Sequence, residues 1–200
     1  GCFGAAMGPE RVFVVADTAR TERYRAEAAT FNGEPIRVTY LTYEEAAERA
    51  AVQPFDVVLY AVKYGALPEA IEQSSPLVSL DTAVISVLNG ITSEEVLAER
   101  FGWDRVLLCI AQQMDSRKVG AVVTAGCVGV MALGVRDPED AAQRANLARV
   151  TEWLAAVEQP FIVPADIQHQ LWGKLICNVG VNQACAVYDC CFSGIHAPGE

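Results

Sequence analysis

Four short runs of nearly unbroken apolar residues decide what this chain can fold into. They are Arg11-Val12-Phe13-Val14-Val15-Ala16-Asp17, Phe55-Asp56-Val57-Val58-Leu59-Tyr60-Ala61-Val62-Lys63, Thr82-Ala83-Val84-Ile85-Ser86-Val87-Leu88 and Arg105 to Ala111. Each is too short for a buried helix, rich in β-branched residues and without polar alternation, so both of its faces must be covered. Helical stretches stand between them, Tyr43 to Ala51, Ala66 to Gln73, and a helix starting at Thr92 or Ser93 and running through Phe101. Strand and helix in alternation predict an α/β fold built on a parallel sheet with helices on both faces.

Polar residues follow three of these runs. Lys63 closes the second, Asn89-Gly90 follows the third, and Gln112-Gln113-Met114-Asp115 follows the fourth. In open α/β sheets ligands bind outside the carboxyl ends of the strands. Lys63 is therefore placed to meet a ligand, or else begins a solvated loop. The Asn89 amide faces a ligand, or merely adopts a left-handed turn conformation.

The amino-terminal stretch Gly1 to Met7 reads as the body of a short helix, stopped by Gly8-Pro9 and followed by the strand that ends at Asp17. A helix and then a strand closed by an acid is the second half of a βαβ unit. In a dinucleotide-binding fold the first strand and its glycine-rich turn precede such a helix, and Gly1 falls where the third glycine of that turn belongs. The expectation is a Rossmann-type doubly wound sheet, first strand missing, with the chain truncated at both ends. Thr18 is expected to cap a helix from Ala19 to Phe31 that carries Arg20, Arg23 and Arg25. Arg25 reads as a solvated side chain. Arg20 or Arg23 could pair with the 2′-phosphate of NADP, whereas Asp17 suits the free ribose hydroxyls of NAD, so the cofactor stays open on local physics.

Further along, Asn32-Gly33-Glu34-Pro35 is a turn before a strand from Ile36 to Leu41, and Ala121 to Thr124 with Cys127 to Leu133 reads as a β-hairpin. Asp137 is expected to cap a helix running to about Val157, with Pro138 in its first turn, and Gln159 to Val163 forms a last strand. Pro164-Ala165-Asp166 marks a boundary between residues 1–164, the dinucleotide-binding domain, and residues 165–200, the start of an all-helical domain. The tail from Ser193 to Glu200 reads as an interrupted loop.

That second part opens on a helix in which Lys174, Asn178 and Asn182 recur every four residues as one polar strip. Leu171, Leu175, Ile176, Val179, Val181, Ala184 and Val187 make the rest apolar on nearly all sides, the pattern of a helix enclosed by protein. A buried ammonium and two amides need hydrogen-bonding partners, supplied by a neighbouring domain or a ligand. The alternative is a lysine that snorkels to solvent beside two structural amides. His169 and Trp172 read as junction packing, and Cys177 and Cys185 as small core fillers.

Composition removes other classes. A net charge of −10 leaves no clustered basic surface for nucleic acid. No apolar run reaches membrane-spanning length. The seven cysteines, odd in number and scattered through apolar stretches, fit buried free thiols in a reducing cytoplasm better than a disulfide framework. No cysteine or histidine spacing suits a metal site.

Taken together, Ala61-Val62-Lys63, Leu88-Asn89-Gly90-Ile91-Thr92-Ser93-Glu94-Glu95 and Leu171-Trp172-Gly173-Lys174-Leu175 with Asn178 and Asn182 resemble the ketopantoate reductase family, the 2-dehydropantoate 2-reductases of pantothenate biosynthesis. The resemblance implies an NADPH-dependent oxidoreductase, with Lys174 as proton donor, Asn178 and Asn182 as substrate contacts, and Gly1, Arg20, Lys63 and Asn89 on the cofactor side. It further implies a small keto acid substrate and a homodimer, with this 200-residue stretch alone turning over little. Two rivals are a related 2-keto acid reductase or hydroxy-acid dehydrogenase on the same scaffold, and a non-catalytic dinucleotide-binding protein.

Overall fold

A computed structural model describes residues 8–27, 29–113, 115–127 and 129–190. The apolar runs become strands β1 (Phe13–Ala16), β5 (Val57–Tyr60), β6 (Ala83–Ser86) and β7 (Val106–Gln112). Between them lie α1 (Thr18–Ala26), the short pair β2 (Thr30–Phe31) and β3 (Glu34–Pro35), β4 (Thr39–Thr42), α2 (Tyr43–Val52), α3 (Leu67–Ser74) and α4 (Ser93–Phe101). The chain continues through β8 (Ser116–Val119), β9 (Val122–Ala125), β10 (Val130–Gly134), α5 (Ala141–Ala156), β11 (Phe161–Ile162), α6 (Ile167–Cys177), a π turn at Asn178–Asn182 and α7 (Gln183–Tyr188).

The central sheet has the order β11-β10-β7-β6-β5, in which β5, β6 and β7 are parallel and β10 is antiparallel to β7. Side chains of β6 and β7 alternate between two cores. Val84 and Val106 pack with Leu97, Ala98 and Phe101 of α4, whereas Ile85, Leu107 and Cys109 pack with Val150 and Leu154 of α5. Helices thus cover both faces, as the absence of polar alternation requires, and each fully buried Leu or Ile contributes about 1.5–3 kcal/mol.

A second, two-stranded parallel sheet joins β1 to β4. Among the described residues no strand links β1 to β5. The two sheets meet instead at the amino ends of these strands, where the rings of Phe13 and Phe55 stand edge to face at 5.6 Å and the Arg49 guanidinium lies 4.3 Å from the Phe13 ring centre. A cavity of about 330 Å³ opens there against Trp153 of α5, at the opposite end of the strands from the polar residues that follow them.

Several local expectations are corrected. The cap of α1 is Asp17, whose Oδ1 accepts from the Arg20 amide at 2.8 Å, and not Thr18, which is the first helical residue. The helix ends at Ala26 rather than Phe31, because Thr30 and Phe31 pair in parallel with Val122 and Val123. The expected hairpin between residues 121 and 133 does not form. Instead β9 turns back on β8 through Gly120, whose φ of +59° favours glycine, while β10 joins the central sheet. Asp140 caps α5 in place of Asp137, accepting from Ala142 and Gln143, while the amides of Arg136 and Asp137 donate to the Gln143 side chain.

Among the described residues the helix bearing the polar strip is not enclosed. Only Ile167 and Leu171 are buried, against Leu108, Ile110 and Ala132. Trp172 is 55% exposed, Ile176 67% and Val187 77%, and Cys177 is exposed as well. Among the described residues Cys177 therefore fills no core.

Candidate active site

Parallel strands end on one side of a sheet, so the segments after β5, β6 and β7 share a rim. Lys63 lies three residues beyond Tyr60, exposed, and its carbonyl accepts from the Ala66 amide at 2.9 Å to start a single 3₁₀ turn. Asn89 lies three residues beyond Ser86, exposed, on a turn that Gly90 allows through its φ of +113°. The rim's third strand carries the carbonyl of Ala111, and onto it folds the Lys174 side chain, Nζ donating at 2.7 Å.

Helix α6 sets that contact. Asp166 caps its amino end by accepting from the His169 amide at 2.8 Å, and Ile167 and Leu171 seat it on the face formed by β7 and β10. Gly134 of β10 permits the approach, because a Cβ there would stand 2.6 Å from the Ile167 side chain. Two turns beyond Ile167 the lysine reaches the end of the sheet half-buried. Burial holds its ammonium below the ordinary lysine pKa, against the opposing pull of Cys109 and Glu94. A lysine poised in this way gives up a proton more readily than one in water.

The remaining predicted residues are distributed unevenly. Asn178 follows Lys174 by one turn and is half-buried, while Asn182 is exposed at the far end of the π turn that separates the two. That wider turn breaks the even α-helical spacing of the strip, and such turns are frequent at functional sites. Arg20 stands at the end of β1, paired with Asp17 at 3.3 Å. Both lie within electrostatic range of Tyr43, as does Glu69 of α3, which brings this end of β1 toward the same side as the loop after β5. Gly1 lies outside the described residues. Also within the described residues, no three His, Cys, Asp or Glu side chains converge as metal ligands, and no helix is long and apolar enough to cross a membrane.

One buried group was not singled out by the sequence. Glu94, in the first turn of α4, is 2% exposed and accepts from the Ser93 hydroxyl at 2.8 Å, which in turn contacts the Ser86 hydroxyl at 2.8 Å. Burial pushes its carboxyl pKa up, against the Ser93 hydroxyl and the amides of Glu94 and Cys109, which favour the anion. In the sequence it looks like an ordinary acidic residue at a helix start.

The profile of the ketopantoate reductase PanE/ApbA family matches residues 1–138. The chain belongs to the ketopantoate reductase family. Its architecture is that of solved relatives. The 2-dehydropantoate 2-reductase from Geobacter metallireducens is 23% identical with a TM-score of 0.72, over 94% of this chain and 62% of that one. A D-mandelate dehydrogenase, solved with NADH and anilino(oxo)acetate, is 15% identical with a TM-score of 0.75, over 94% and 59%. The dimeric ketopantoate reductase from Staphylococcus aureus is 22% identical with a TM-score of 0.62, over 94% and 72%. The chain spans less than two thirds of the first two of these relatives. No curated protein sequence matches it. The family match and these likenesses fix the fold as a Rossmann-like α/β domain leading into a helical region.

Proposed function

We propose that the complete protein reduces the C2 carbonyl of 2-dehydropantoate to pantoate with NADPH, a cytoplasmic step of pantothenate and coenzyme A biosynthesis. The observation that carries this reading is the half-buried Lys174 ammonium bonded to Ala111 O at 2.7 Å, on the rim that also bears Lys63 and Asn89. The donors present suit a nicotinamide dinucleotide, with cationic Lys63 and the Asn89 amide at the carboxyl ends of adjacent parallel strands, the site of ligands in such sheets. Lys63, Asn89 and Gly1 would hold its nicotinamide and phosphate portions, and Arg20 a 2′-phosphate. The reduced nicotinamide supplies the hydride. Lys174 supplies what the substrate then needs, a proton for the carbonyl oxygen and a positive charge beside it while negative charge develops there. Asn178 and Asn182 hold the keto acid through its hydroxyl or carboxylate without adding a charge that competes with the lysine.

Residues 165–200 are read as the opening of a helical second domain, a reading supported by the exposed apolar side chains of Trp172, Ile176, Val187 and Tyr188. Such a face calls for cover. The dimeric state named for the Staphylococcus aureus relative supports a homodimer as the working form. The 200 residues alone are expected to bind cofactor weakly and turn over little.

Steady-state oxidation of NADPH by the full-length protein, measured with ketopantoate, 2-ketoisovalerate and phenylglyoxylate, tests the substrate. The highest kcat/KM belongs to ketopantoate with NADPH. A second reading, an NADH-dependent hydroxy-acid dehydrogenase, is favoured by Asp17 at the end of β1 and by the likeness to D-mandelate dehydrogenase. Preference for phenylglyoxylate with NADH would establish it instead, and cofactor binding without turnover of any keto acid would leave a non-catalytic dinucleotide-binding protein.

A further inference from the structure

The backbone of β7 carries two polar groups along one edge. Val84 N donates to Arg105 O, so the odd-numbered residues of β7 turn their amides and carbonyls toward β6, whereas Met131 N donates to Pro160 O and leaves the even-numbered residues of β10 to bond β7. The amide of Cys109 and the carbonyl of Ala111 therefore face the β6 side, just past Ser86, where β6 ends. The Ala111 carbonyl takes the ammonium of Lys174. The Cys109 amide faces the carboxyl of Glu94. The two anchor points lie two strand residues, about 7 Å, apart.

Glu94 is built into this place. Ser86 at the end of β6 contacts the Ser93 hydroxyl, which donates to Glu94, and the carboxyl sits in the first turn of α4, where a helix favours an anion. Among the described residues, the titratable groups that face Lys174 are Glu94 from α4 and Cys109 from β7, whose thiol burial pushes up to about 12 and so keeps neutral. On the lysine's own helix, His169 and Cys177 are exposed. Glu95, beside Glu94, turns outward to Arg136 at 3.3 Å.

We propose that Glu94 is a positioning residue for the reduction: its buried carboxylate, fixed by Ser93 where β6 and β7 part, keeps the Lys174 amine protonated and seated on Ala111 until the substrate oxygen takes the proton. The inference rests on the reading of Lys174 as the proton donor. In the step it serves, the C–H bond of a bound reduced nicotinamide would break, leaving that ring oxidised, its electron pair would form the new C–H bond as the carbonyl π electrons move to oxygen, and one N–H bond of Lys174 breaks as the O–H bond forms. Solvent then reprotonates the neutral amine. Without the carboxylate the ammonium loses its one facing anion among the described residues and becomes a stronger acid, charged over a narrower pH range.

The test is the pH dependence of kcat for the full-length protein carrying Glu94→Gln, Glu94→Asp, Ser93→Ala or Lys174→Ala. For Glu94→Gln the alkaline limb moves to lower pH by roughly one unit, the effect of removing one charge at this separation in a partly buried site, with the affinity for NADPH unchanged. Ser93→Ala moves it the same way by less, and Glu94→Asp returns it toward the parent position. A merely structural role for Glu94 would lower the melting temperature and leave the limb in place. A folded Glu94→Gln protein with the parent limb overturns the proposal. Should that variant not fold, an unmoved limb in Ser93→Ala overturns it equally. Loss of turnover in Lys174→Ala together with an unmoved limb in Glu94→Gln removes Glu94 alone, whereas full turnover in Lys174→Ala removes the proton-donor reading itself.

Discussion

Lys174 and Ala111, 63 positions apart in sequence, are joined by a 2.7 Å hydrogen bond from the ammonium to the carbonyl at the end of β7. The bond ties the helical part of the chain to the rim of the parallel sheet. It also draws the lysine out of water, and that desolvation is the largest cause of its lowered pKa.

The shift has a sign that kinetics can read. A proton donor works while it is protonated, so activity is lost as pH rises through the pKa of the folded state, and burial sets that pKa below the ordinary lysine value of 10.5. A plot of kcat against pH for the full-length protein is expected to be level near neutrality and to fall on the alkaline side with a midpoint below 10.5. A limb at or above that value would contradict the assignment.

Gly134 controls how closely α6 approaches the sheet. In Gly134→Ala the new methyl would stand 2.6 Å from Ile167, and overpacking of this kind typically costs about 1–3 kcal/mol. The expected outcome is a lower melting temperature together with a fall in kcat, because any shift of α6 carries Lys174 off Ala111. A variant with unchanged melting temperature and kcat would show that the helix has room to spare.

The sheet was legible because apolar runs covered on both faces leave little choice, and β5, β6 and β7 followed the reading within a few residues. What pairs over long separations was not. Ser116 to Val119 carries Arg117 and Lys118 and is exposed, so nothing in its pattern announced β8. The fate of β9 depends on Asn32, 93 positions away, whose side chain bonds both the amide and the carbonyl of Ala125. The strip helix misled in the other direction, since an all-round apolar pattern reads as enclosed whether or not its cover lies within the described residues. Glu94 escaped notice for a different reason. Burial distinguishes it from Glu95, and no spacing rule separates two adjacent glutamates.

Cysteine chemistry offers an independent check on the core. Cys109 is 1% exposed with its thiol pushed up to about 12, whereas Cys127 and Cys177 are exposed. The thiolate is the nucleophile, so brief treatment of the native protein with iodoacetamide should modify Cys127 and Cys177 and spare Cys109 until the chain is unfolded. Peptide mapping by mass spectrometry would show this. Equal labelling of Cys109 and Cys177 would contradict the packing of β7.

Arg20 tests the cofactor. Its guanidinium, 61% exposed, is held by Asp17 at 3.3 Å at the end of β1. If it receives a 2′-phosphate, Arg20→Ala weakens NADPH binding by about 10- to 100-fold, the range of a charged hydrogen bond, and leaves NADH binding nearly unchanged. Equal losses for both nucleotides in a titration by fluorescence would show that Arg20 takes no part in the choice.

Lys174 carries the proposed chemistry. Single-turnover and steady-state rates of Lys174→Ala in the full-length protein, with NADPH and ketopantoate saturating, measure its contribution most directly. The predicted result is a loss in kcat of about 10²- to 10⁴-fold with the affinity for NADPH preserved, and a variant that kept the parent kcat would contradict it.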